Sequence, residues 1–128
     1  WSFYYDTSFL CGTITGAVMA PERNAFTFFG PSACSNDTGI VLTVYLGPQV
    51  LDNDKSNITT NSVIFEYYDN VTQFDVFLSD LSLNFSLTID SYEYGTGICK
   101  GRFSGFANTK SGGVAEIKNG KFAIQFPQ

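Results

Sequence analysis

The side chains able to do chemistry in this chain are few. Histidine is absent, which removes Ser-His-Asp and Cys-His catalysis and any His-ligated zinc or haem. The three cysteines, Cys11, Cys34 and Cys99, form no Cys-x-x-Cys pair. No glycine-rich phosphate loop follows a strand and opens a helix. Two weaker patterns remain. Asp52, Asp54 and Ser56 take positions one, three and five of a calcium loop, yet Asn57 replaces the turn glycine and Val63 stands where a bidentate Glu belongs. That stretch reads as a polar turn. Glu66, Asp69, Asp75, Asp90 and Glu93 are the carboxylates for glycoside hydrolysis, which needs two acids about 5–10 Å apart in a cleft. Acids on exposed strand faces also meet by chance, so the expectation is a non-enzymatic protein with no cofactor and no metal.

Binding chemistry is better represented. Tyrosines come in near pairs, at Tyr4 and Tyr5, Tyr67 and Tyr68, and Tyr92 and Tyr94. Consecutive strand residues face opposite ways, so one of Tyr67 and Tyr68 is expected outside. Tyr67, Tyr68, Tyr92 and Tyr94 lie in a stretch rich in acids, and Tyr68 with Tyr94 would make an acidic aromatic patch. Amphipathic aromatics bury large area at low entropy cost. Such a patch suits a protein or glycan partner. A net charge of -5 argues against nucleic acid. Residues 1–93 hold eleven acids against Arg23 and Lys55, while residues 94–128 hold five bases against Glu116. The expectation is complementary pairing between neighbouring strands.

The elements that must position these groups are strands. At 128 residues the chain fits a single β domain, 1-128, with one core. Leu83, Phe85, Leu87 and Ile89 alternate with polar residues, as do Cys99, Gly101, Phe103 and Gly105. Asn119-Gly120 is a strong two-residue hairpin signal. With it as the turn, Ala115, Ile117, Phe122, Ile124 and Phe126 share one face, and Glu116, Lys118, Lys121 and Gln125 the other. Segments 8–19 and 25–30 flank the turn "PERN", and 46–61 reads as the one long loop. No window has helical periodicity. About nine strands predict an all-β antiparallel sandwich or partly closed barrel, ending in an Asn-Gly hairpin.

Compartment is suggested by composition. Only 15% of residues are charged, against about 25% for an average soluble domain, and Ser, Thr and Asn take their place. A two-residue loop at Glu22-Arg23 would set Cys11 opposite Cys34, a position where a disulfide is tolerated. Cys99 would then be a free, shielded thiol. Sequons stand at Asn36, Asn57, Asn70 and Asn84. No apolar stretch reaches the roughly 18 residues of a membrane helix, and an upstream targeting segment is expected before Trp1.

The last 40 or so residues carry a pattern: Ile89 and Tyr92, then Gly101, Phe103 and Ser104, then Ile117, Asn119, Gly120 and Phe122. It resembles the C-terminal half of a family of small Bacteroidota outer-membrane lipoproteins of unknown function. Trp1 is similar to the tryptophan opening that family's globular part. The three cysteines and the 47–62 loop depart from the pattern. The resemblance implies an exported β domain, at the outer-membrane surface or in the periplasm, that touches the membrane only through a lipid anchor upstream of Trp1. It carries no catalytic motif. The function expected is a binding module or accessory subunit of an outer-membrane assembly, and the alternative a lipocalin-like barrel for a small apolar ligand.

Overall fold

A computed structural model describes residues 1–33 and 37–128. Among them lie eleven strands: β1 (Ser2–Tyr5), β2 (Ser8–Cys11), β3 (Gly16–Met19), β4 (Ala25–Pro31), β5 (Thr38–Tyr45), β6 (Lys55–Thr60), β7 (Val63–Asp69), β8 (Phe74–Ser79), β9 (Phe85–Tyr92), β10 (Ile98–Thr109) and β11 (Val114–Gln125). The fold is all-β and antiparallel. One sheet runs β2-β1-β11-β10-β8-β7-β5-β4-β3, and β9, with β6 beyond it, branches from β10. The path curls back on itself. Gly12 bridges Ser32, and the Ala33 amide donates to the Cys11 carbonyl at 2.8 Å, so the end of β2 meets the end of β4.

Alternation puts one set of side chains inside the curl. Phe26 and Phe28 of β4 meet Phe126 and Phe122 at ring-centroid separations of 5.3 and 4.9 Å. Phe65 of β7 meets Phe85, Phe103 and Phe3 at 5.1, 5.8 and 5.4 Å. Rings thus fill the space between the facing halves, at spacings where aromatic pairs attract.

The terminal hairpin differs from the sequence expectation. Asn119-Gly120 is not its turn; β11 runs straight through both residues and pairs with β10 along its length, and the connection is 110–113. Asn119 is the extra residue of a β-bulge. The register moves from Phe103↔Gly120 to Gly105↔Ile117, and Asn119, not Gly120, takes a positive φ, 52°. A bulge and a two-residue turn both shift the inside–outside parity by one, so the buried set is as expected: Ala115, Ile117, Phe122, Ile124 and Phe126. Gly120 is needed for close approach, because a Cβ there would meet the Phe103 ring and carbonyl.

Two further differences have physical causes. The stretch read as one long loop contains β6, an edge strand against β9. Only polar residues and Ile58 line it, so no apolar alternation announces it. The register between β3 and β4 is the one expected, from Gly16↔Phe29 to Met19↔Phe26, but it slips by one before Gly12↔Ser32. The Cys11 carbonyl consequently faces Ala33. Cys34 and the sequon at Asn36 lie outside the described residues.

Candidate functional site

The four tyrosines singled out do not form one site. Tyr67 and Tyr92 are buried in the core, because each falls on the inward phase of its strand. Tyr67 donates a hydrogen bond to Thr38 Oγ1 at 3.1 Å. Tyr92 accepts one from Arg23 Nη2. The same guanidinium donates through Nε to the Leu51 carbonyl and lies 4.9 Å above the Tyr94 ring centroid, while the Tyr94 amide donates to Asp54 Oδ1 at 2.8 Å. Tyr92 and exposed Tyr94 therefore anchor the 46–54 connection. Half-buried Tyr68 belongs to a different feature, a cleft of about 420 Å³ shared with Phe29, Val41, Glu66 and Asp75.

The carboxylates also separate. Glu66 and Asp75 come together in that cleft and share a hydrogen bond. This bond, partial burial and the Asp75 charge push the Glu66 pKa up to about 6. Asp69 Oδ1 accepts from the Val71 amide at 2.9 Å, closing a turn. Asp90 pairs with Arg102, Asp52 with Lys55 at 3.9 Å, and Glu93 sits exposed after β9. Two carboxyls in hydrogen-bond contact leave no gap for a glycosidic bond, which needs about 5 Å or more between carboxyls.

The best-formed site lies on the other half of the molecule and was missed in the sequence. Antiparallel pairing aligns two outward rows across β9, β10, β11, β1 and β2. The first reads Thr88↔Arg102↔Lys121↔Ser2. The second reads Ser86↔Ser104, then the bulge at Lys118 and Asn119, then Tyr4↔Phe9. Between them runs an open groove of about 500 Å³. Its base is small and polar, from Ser2, Ser86, Thr88 and Ser104. One wall is the Tyr4–Phe9 pair, ring centroids 5.0 Å apart and 38% and 51% exposed. The other is Arg102, whose Nε and Nη2 donate to the Asp90 carboxylate at 2.9–3.1 Å. The positive-φ Asn119 at the bulge stands beside Lys121 on the rim.

Complementary pairing of the C-terminal bases is not what the fold delivers. Among the described residues Arg102 alone of those five has an ion pair. Instead Arg102 stands directly opposite Lys121, an arrangement of like charges that weakens a strand pair.

Fold and site together define an all-β domain with an open polar–aromatic groove on its outer face. Comparison with family models, curated proteins and solved structures finds no match for the chain.

Proposed function

We propose that this chain is a non-enzymatic binding module of an exported protein, holding a protein or glycan partner in the groove across β9, β10, β11 and β1. The observation that carries it is the groove itself: exposed aromatic rings beside the hydroxyls of Ser2, Ser86 and Ser104 and a guanidinium fixed by Asp90. Such a surface offers stacking, hydrogen bonds and charge to a bound partner. The charge-poor, hydroxyl-rich surface supports export. The resemblance to Bacteroidota lipoproteins extends this to a lipid-anchored module of the cell surface or periplasm, or an accessory subunit of an outer-membrane assembly. The lipocalin-like alternative gains nothing from the interior, where phenylalanine rings occupy the space an apolar ligand would take.

The test is titration of the isotope-labelled domain with envelope glycan and surface-protein fractions, followed by amide chemical shifts. Shifts should concentrate at Ser2, Tyr4, Ser86, Arg102, Ser104 and Asn119. They should vanish in the Tyr4→Ser/Phe9→Ser double variant at an unchanged melting temperature. Shifts centred on the Glu66–Asp75 cleft, or a double variant that binds like wild type, would overturn the assignment.

A further inference from the structure

Three independent features of the groove bear on what it holds. The first is charge. A protein of net charge -5 places Arg102 and Lys121 directly opposite each other, with Lys118 in the next row. Like charges across a strand pair cost stability; Asp90 offsets part of that at Arg102, and an anion beside Lys121 would offset the rest. Among the described residues Lys121 and Lys118 have no ion pair, and Asp90 answers Arg102 alone. Asp90 occupies Nε and Nη2, which fixes the guanidinium and leaves Nη1 outside that pair.

The second feature is hydroxyl and amide density. Ser2, Ser86, Ser104 and Asn119 line the groove, and among the described residues their side chains make no hydrogen bond, whereas Thr88 is already bonded to Thr59 at 2.8 Å. Short polar groups at the base can match the hydroxyls of a polyhydroxylated ring. The third is the Tyr4–Phe9 wall, which offers apolar ring faces at one side of the same groove. Peptide and nucleic acid each satisfy only part of this set. An acidic peptide needs the cations but has no ring of hydroxyls for the serines. A nucleic acid calls for a broad basic surface, which an acidic domain with a local cluster lacks.

Building on the proposed groove, we infer that its ligand is an acidic oligosaccharide. Its carboxylate or sulfate lies between Arg102 Nη1 and Lys121, its hydroxyls meet the serines and Asn119, and one sugar ring packs against Tyr4 and Phe9.

Calorimetric titration of the 128-residue chain with a hexameric uronate tests this. The controls are a neutral hexasaccharide, oligoglutamate and single-stranded oligonucleotide. The uronate should bind at least tenfold more tightly than any control and weaken with added salt. Lys121→Gln should cost roughly tenfold with melting unchanged, and Lys118→Gln, one row away, less. If uronate and neutral sugar bind equally and both depend on Tyr4 and Phe9, the groove stands and the acidic class falls. If oligoglutamate or oligonucleotide binds as well as uronate, charge alone is read and the sugar assignment falls. If no sugar binds while the amide-shift titration still maps a protein partner to the groove, the ligand class is wrong and the module reading survives.

Discussion

A single methyl group added at Gly120 tests the bulge in β11. An ideal Cβ there lies against Cδ2 and Cε2 of Phe103 and 2.5 Å from the Phe103 carbonyl oxygen. Comfortable contact needs about 3.5 Å or more, so the strands or the ring must yield by roughly 1 Å. Neither moves freely. The Phe103 ring packs on Phe65, Phe85 and Phe3 at centroid distances of 5.8, 6.3 and 6.2 Å, and its residue sits in the β10–β11 pairing. Overpacking of this kind costs about 1–3 kcal/mol. The lost freedom of the unfolded chain returns ~0.4–1 kcal/mol, leaving Gly120→Ala destabilised by about 1–2 kcal/mol. With a urea slope near ~1.5 kcal/mol/M, the midpoint falls by roughly 1 M.

Two companion variants separate a clash from a turn requirement. Asn119→Gly keeps the positive φ and should change stability by less than about 0.5 kcal/mol, whereas Asn119→Val should cost ~1–2 kcal/mol. Phe103→Leu gives the methyl room on its ring side. The cost of Gly120→Ala in that background should shrink by at least ~0.5 kcal/mol in a double-mutant cycle. Additive costs, or Gly120→Ala at wild-type stability, would refute the close-approach account.

Three other outcomes follow from separate parts of the molecule. Glu66 has a folded-state pKa near 6 against an ordinary 4.5, so the protonated pair stabilises below pH ~4.5 and that contribution is lost as pH rises through ~6. The rise corresponds to ~2 kcal/mol at most, reduced to about 0.5–1 kcal/mol by solvent at a half-buried site. Glu66→Gln should erase this decline in pH-dependent urea melts and be the more stable form at pH 7.5. Arg23→Ala removes hydrogen bonds to Leu51 and Tyr92 and the stacking on Tyr94, for a loss of about 1–3 kcal/mol. Proteolysis within 46–54 should quicken, and an unchanged cleavage rate would count against the anchor. Burial pushes the Cys99 thiol up to about 12, so it should resist thiol reagents at pH 8 until the protein unfolds. Cys11 is a free thiol in the fold, so unfolding without reductant should expose Cys11 together with Cys99; a single reactive thiol would instead restore the expected Cys11–Cys34 bond.

The fold class was legible because alternation is a local signal, and the apolar phase of β9, β10 and β11 lies in the residue order itself. The turn was not, because Asn119-Gly120 and the Ser111-Gly112-Gly113 stretch both mark turns, and a bulge leaves the same parity as a hairpin. What decides between them is the partner. A turn at 110–113 lets β10, from Ile98 to Asn108, pair along the whole of β11, whereas one at 119–120 would fold β11 onto itself and leave β10 unpaired on that side. The tyrosine patch failed for a similar reason. Adjacent residues on a strand must split between core and surface, so Tyr67 goes inside. The chain leaves β9 at Tyr92, so spacing no longer governs where Tyr94 points.

The groove was opaque because its groups are adjacent only across strands. Tyr4 and Phe9 lie more than 75 residues from Ser86 and over 90 from Arg102, and nothing local ties them. The charge asymmetry was visible along the chain, yet its meaning depends on which strands touch. Acids before residue 94 and bases after it suggest mutual neutralisation where the two regions touch in the sheet. Among the described residues an acid of the first region meets a base of the second in an ion pair only at the β9–β10 border, where Asp90 reaches Arg102. On the other side β10 lies beside β11, both from the basic region, and Arg102 therefore meets Lys121. Asp90 answers Arg102, whereas Lys121 has no ion pair among the described residues, so an anion bound beside Lys121 would stabilise the folded chain by mass action.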